Sequence, residues 1–155
     1  MIFSDSDIGI ILELIAVISW DSRRKIRGEI KEFGITYPEL GAIFALNKRE
    51  GISQNELAKV IRTDRTTVMV IIDNLEKKGL LSRKPDIKDR RKNNIYYTAK
   101  GKEVFSAILP KIYKLFEPLT NHFTKKDLQR IKGYLTQIIE CMKPEQQTRT
   151  DIHIK

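Results

Sequence analysis

The sequence predicts a mainly α fold of the α+β kind, with three short helices and a β-hairpin set between longer helices at both chain ends. Three observations carry this. Capping-box sequences stand ahead of short apolar stripes at Thr36-Tyr37-Pro38-Glu39 and Ser53-Gln54-Asn55-Glu56. A third stripe ends at Gly79 and is followed by two short strand-like segments around a polar, basic loop. Apolar residues recur at helical spacing for several turns near each chain end.

The first helix is expected from Asp7 to about Phe33, a stretch without proline. Ile8, Ile11, Leu12, Ile15 and Ile18 give it one apolar side, and Leu14, Val17 and Trp20 a second. A helix apolar on two sides must be covered twice, and a partner subunit is the cheapest second cover. Thr36 caps the next helix, whose buried stripe is Leu40, Ile43 and Phe44. Gly51 breaks the chain, and Ser53 caps a short helix carrying Leu57, Ala58, Val60 and Ile61. Asp64 caps a third, running to Lys78, with Val68, Ile71, Ile72 and Leu75 as its inner face and Gly79 as a left-handed terminator. Leu80–Lys84 and Asn94–Thr98 read as the strands of a hairpin. Helix, turn, helix, hairpin is the order of a winged helix-turn-helix.

After Thr98, a cap candidate, the stripe Val104, Phe105, Ile108, Leu109, Ile112, Leu115, Phe116 and Leu119 holds for about four turns. Pro110 is expected to kink it. A last helix begins at Thr124-Lys125-Lys126-Asp127 and is expected to bury Leu128, Ile131, Leu135, Ile138, Ile139 and Met142 before Pro144 ends it. The expected organisation is an N-terminal dimerisation helix over 1–35, a winged helix-turn-helix over 36–100, C-terminal dimerisation helices over 101–143 and a loose tail over 144–155.

Charge narrows the partners. Among 155 residues, 29 Lys and Arg against 20 Asp and Glu leave a net charge of +9. Such a surplus suits an anionic partner, nucleic acid or an acidic membrane surface, although solubility alone would also account for it. Cys141 is the one cysteine and cannot form an internal disulfide, which fits a reducing compartment and a cytoplasmic location. It is expected to be a buried structural thiol. The apolar run from Ile8 to Ile18 contains Glu13 and has its basic cluster (Arg23, Arg24, Lys25) after it, the reverse of a signal peptide, and is too short to span a bilayer. No membrane partner is expected.

At 100° per residue, the inner face of the third short helix leaves Thr66, Val70, Asp73 and Lys77 on the opposite side, with Arg65, Thr66 and Thr67 at its N-terminal end. A recognition helix presents its N-terminal part to the major groove, and its free N–H groups and dipole favour phosphate. The recognition-helix candidates are Arg65, Thr66, Thr67, Met69 and Val70. Ser53, Gln54 and Asn55 are candidates at the start of the preceding helix. The hairpin loop holds six basic residues (Arg83, Lys84, Lys88, Arg90, Arg91, Lys92) against two acidic ones (Asp86, Asp89). A charge run is usually a solvated surface. Directly after a helix-turn-helix it is better read as a wing, because arginine at a hairpin tip can enter the minor groove.

Leu75-Glu76-Lys77-Lys78-Gly79-Leu80, then Asp89-Arg90-Arg91 and Thr98-Ala99-Lys100-Gly101, together resemble the signature of the MarR (multiple antibiotic resistance regulator) family over roughly residues 8 to 142. The resemblance implies a homodimer on a palindromic double-stranded DNA operator, expected to act as a repressor. It also implies a wing pair in which Asp89 orients the Arg91 that enters the minor groove. The departure is at Met69 and Val70, where many members carry a small polar residue and then an arginine. An exposed Val70 would meet thymine methyls and favour A·T-rich sequence; the competing reading packs it on a neighbouring element. Family members commonly release DNA when a small phenolic or anionic effector binds between dimerisation and DNA-binding parts. Trp20, Tyr37 and Phe44 are candidates for such a pocket, with core packing as the alternative.

His122 and His153 belong to no metal-ligand or nucleophile–base spacing, and Gly101-Lys102 lacks the glycines of a phosphate loop. No enzyme, cofactor or metal is expected. The second function class is a winged helix used for protein–protein contact, which salt dependence separates from DNA reading.

Overall fold

The computed structural model describes residues 6–86 and 93–143. Its elements, in chain order, are α1 (Asp7–Ile30) followed by a 3₁₀ turn (Lys31–Phe33), α2 (Tyr37–Lys48), β1 (Ile52–Ser53), α3 (Gln54–Val60), α4 (Arg65–Lys77), β2 (Leu81–Pro85), β3 (Asn93–Tyr97), α5 (Ala99–His122) and α6 (Lys125–Cys141). The fold is mainly helical with one small antiparallel sheet, a winged helix-turn-helix with long helices at either end. Two compact units divide the chain, Met1–Leu115 and Phe116–Lys155.

Helix starts are fixed by side chains that satisfy otherwise orphaned N–H groups. The Thr36 hydroxyl accepts from Glu39 N–H at 3.4 Å while Glu39 Oε2 accepts from Thr36 N–H at 2.7 Å. Ser53 and Glu56 repeat this reciprocal pair at 3.3 and 2.8 Å, and Thr124 and Asp127 at 3.2 and 3.1 Å. Asp64 Oδ1 accepts from Thr67 N–H at 2.8 Å, and Thr98 Oγ1 from Gly101 N–H at 2.9 Å. Gly79 lies at φ +70°, a conformation that ends α4 at little steric cost only for glycine.

The core of the first unit gathers Leu40, Ile43 and Leu46 of α2, Leu57 of α3, and Val68, Ile71, Ile72 and Leu75 of α4, all buried. Leu80, Leu81, Ile95 and Ile108 close it from the hairpin and α5. The sheet order is β1-β3-β2, so the hairpin has a third strand that the sequence did not reveal. That strand is two residues long, Ile52 opposite Ile95 and Ser53 opposite Asn94, too short for any alternation to show.

The long stripes turn out differently from the expectation. Within the single chain Ile8, Ile11, Leu14, Val17, Ile18 and Trp20 of α1 are exposed. Leu128, Ile131, Leu135 and Ile139 of α6 and Met142 just after it, expected to be buried, are exposed as well, and Ile138 is only half-buried. Cys141 is exposed rather than buried, since it lies on a helix with no buried residue at all. Pro110 does not interrupt α5, which runs on to His122. No helix among the described residues is long and apolar enough to cross a membrane.

Candidate nucleic-acid interface

α4 is the centre of the site. Its inner face is locked by four residues that are almost fully enclosed, which forces Arg65, Thr66, Thr67, Met69 and Val70 outward, and all five are exposed. Val70 is 54% and Met69 48% exposed, so the packed alternative for Val70 does not hold. The Thr67 hydroxyl donates to Asp64 Oδ2 at 2.6 Å and is committed to the cap. Hydrogen bonds from the Thr67 hydroxyl, then from its N–H, hold the Asp64 carboxyl below its ordinary range. Glu56 at the start of α3 is lowered in the same way, first by the Ser53 N–H and then by the Ser53 hydroxyl.

The three candidates at the α3 start separate. The Ser53 hydroxyl is engaged with Glu56, the Gln54 Nε2 is buried without a partner among the described residues, and Asn55 is exposed.

On the hairpin, register decides what each cation does. Arg83 pairs with Ile95 and Lys84 with Asn94, so successive side chains leave opposite faces of the sheet. Lys84 points outward, its ammonium 5.1 Å from the centre of the Tyr96 ring. Arg83 shares the inner face with Leu81 and Ile95, and its guanidinium reaches α4: Nη2 donates to Asp73 Oδ1 at 2.6 Å and Nη1 to Glu76 Oε2. Its side chain is 24% exposed. Arg83 was expected among the DNA contacts and is instead held by two carboxylates. Strand alternation was the signal that would have shown this. Lys88, Asp89, Arg90, Arg91 and Lys92 lie outside the described residues.

Sequence reasoning also missed what braces α4. Glu39, only 2% exposed, accepts from Lys78 Nζ through both oxygens, at 2.8 and 2.6 Å, and so joins the start of α2 to the end of α4. Lys100 Nζ donates to Lys78 C=O at 2.9 Å and the Thr98 hydroxyl to Gly79 C=O at 2.7 Å, which anchors the start of α5 to the same turn. The three aromatics proposed for a pocket do not share one. Trp20 is 69% exposed, and Phe44 meets Phe105 edge-on at 5.5 Å. Tyr37 lines a cavity of about 510 Å³ together with Arg27, Ile30, Lys31, Ile35 and Thr36. The Arg23 guanidinium sits 5.5 Å from the centre of the Tyr37 ring. Among the described residues no group of His, Cys, Asp and Glu is placed to hold a metal ion.

Residues 33–92, a range that contains α2, α3, α4 and the first hairpin strand β2, match the MarR family model. The helix-turn-helix segment is similar to that of the MarR family. It is 26% identical over 110 residues to the HTH-type transcriptional regulator YybA of Bacillus subtilis, covering 71% of this chain and 73% of YybA. It is 31% identical over 91 residues to the regulator SarZ of Staphylococcus saprophyticus, covering 59% of this chain and 62% of SarZ. Identity to the transcriptional activatory protein BadR of Rhodopseudomonas palustris is 28%, covering 67% of this chain and 60% of BadR. The chain therefore spans less than two thirds of two of these three relatives. Among solved structures, it resembles the S. aureus MepR–DNA complex with a TM-score of 0.76 at 25% identity, over 84% of this chain and 96% of MepR. These relatives are transcription regulators, a non-enzymatic class.

Proposed function

We propose that this chain is a homodimeric, sequence-specific double-stranded DNA-binding transcription regulator of the MarR family, located in the cytoplasm. The recognition helix α4 enters the major groove and the basic wing reaches the minor groove of a palindromic operator. The observation that carries this is the outward face of α4: Arg65, Thr66, Met69 and Val70 are exposed at the N-terminal half of a helix whose other face is fixed in the core. The Arg65 and Thr66 side chains make no hydrogen bond or ion pair among the described residues, which leaves them for phosphate and base edges. Exposed Val70 and Met69 supply an apolar surface suited to thymine methyls, so the preferred sites are A·T-rich. The likeness to MepR, a protein solved bound to DNA, supports the same reading.

Dimerisation is assigned to 1–35 and 101–143, flanking a reading head at 36–100, on the strength of the uncovered apolar residues of α1 and α6. Repression is the proposed sense of regulation, by occupation of a promoter. The cavity beside Tyr37, with Arg27 and Lys31 in its lining, is the proposed seat of a small anionic effector.

The deciding experiment is the salt dependence of binding to duplex DNA from upstream of the protein's own gene. Two subunits with about four phosphate contacts each neutralise roughly eight phosphates, which gives a slope of log K against log salt near about −7. A slope flatter than about −2 favours a winged helix used for protein contact instead.

A further inference from the structure

Arg83 is the described wing cation that does not behave like a DNA contact. Its backbone N–H donates to Glu76 Oε1 at 2.8 Å, its Nη1 to Glu76 Oε2 and its Nη2 to Asp73 Oδ1 at 2.6 Å, so main chain and side chain grip one face of α4 together. Asp73 and Glu76 are three residues apart and lie on the same side of the helix. Both are inside the recognition helix, while Arg83 is fixed by its register with buried Ile95. A planar guanidinium is the side chain whose fork can satisfy two carboxylates at once, and lysine offers no such fork.

We infer that Arg83 is a positioning residue, which with Asp73 and Glu76 fixes the pitch of the wing against the recognition helix so that both reach the duplex in one arrangement. The inference rests on the DNA-reading function proposed above. It separates the wing's cations into two kinds. Lys84, on the outer face of β2, is available to phosphate, whereas Arg83 is neutralised by two acids and faces inward. Flexible attachment of a wing would leave its tip to search for the minor groove at an entropic cost on each binding event, and a clamp removes that cost beforehand.

The test uses the full chain and duplexes selected by the parent protein from a random-sequence library. Arg83→Met and Arg83→Lys are each expected to bind at least about 10-fold more weakly, with the slope of log K against log salt unchanged, because no phosphate contact is lost. Glu76→Gln and Asp73→Asn give the sign test and keep the side-chain shape. Removing an acid near DNA strengthens binding by electrostatics alone, whereas loss of the clamp weakens it. In Glu76→Gln the Arg83 amide is also expected to exchange its hydrogen faster. Binding by the acid variants equal to or tighter than the parent's overturns the inference. So does a slope shallower by about two for Arg83→Met, the mark of one lost phosphate contact per subunit. A parent protein that retains no duplex from the library overturns the DNA-reading function itself and the role built on it, and that result is seen before any variant is made.

Discussion

Gly101 shows how one hydrogen in place of a methyl holds two elements together. A Cβ at this position would lie 2.0 Å from the Leu80 carbonyl oxygen, a backbone atom that cannot step aside. The close approach is what lets Thr98 and Lys100 bond to the turn after α4. Gly101→Ala is therefore expected to cost about 3 kcal/mol, at the upper end of overpacking effects, read as a lower urea midpoint with an unchanged m value. A second residue-scale test concerns Asp89 and Arg91, paired by resemblance in the wing. Arg91→Ala should weaken operator binding by about 1–3 kcal/mol per half-site while leaving the fold intact. Asp89→Ala raises the net charge, and simple electrostatics would tighten binding. If Asp89 orients Arg91, binding weakens instead; a folded Asp89→Ala dimer that binds more tightly than the parent at one fixed salt refutes the orienting role.

Among the elements, α3 and α4 depend on carboxylate caps in a way that pH exposes. Both Glu56 and Asp64 have folded-state pKa values below their ordinary ones, each through hydrogen bonds donated by its partner cap residue. A lowered value means that the stabilisation is complete above the ordinary carboxylate range and is lost as pH falls through the folded value. Below about pH 4 the starts of α3 and α4 are expected to fray. Amide exchange of Ser53 and Thr67 N–H, which donate to the Glu56 and Asp64 carboxylates, followed from neutral pH downward, checks this. In Asp64→Ala the acid step at Thr67 should disappear, and its persistence would remove Asp64 as the cause.

For the whole molecule, the outstanding feature is apolar surface that the single chain leaves uncovered. On α6, Leu128, Ile131, Leu135 and Ile139 remain 36% to 42% exposed, and on α1 Ile18 and Trp20 are 63% and 69% exposed. Exposed apolar residues along one helix, taken for each of the two helices by itself, suit a partner surface. The protein is expected to sediment as a dimer at micromolar concentration, with an interface of over roughly 2,000 Å². Leu135→Glu should shift it to monomers whose residues 36–100 keep their fold, with loss of palindromic operator binding. A parent chain that runs as a folded monomer at micromolar concentration would exclude the dimeric reading.

The sequence by itself determined the local structure. Thr36, Ser53, Asp64 and Thr124 cap helices because each is a short polar acceptor ahead of an apolar stripe, and Val68, Ile71, Ile72 and Leu75 face inward because their spacing follows the turn of a helix. The exposed face of α4 was legible for the same reason, as the remainder of a helix whose inner side was known. Only the tertiary structure decided matters that join distant residues. Arg83, expected among the DNA contacts, pairs with Asp73 and Glu76 because sheet register aims it at α4. Glu39 found Lys78 across 39 positions, and β1 became a strand only because β3 lay beside it. Caps and periodicity act within a few residues, where the chain's own geometry fixes the outcome. Ion pairs and strand pairing depend on where the packed core places segments far apart in sequence, which spacing along the chain does not encode.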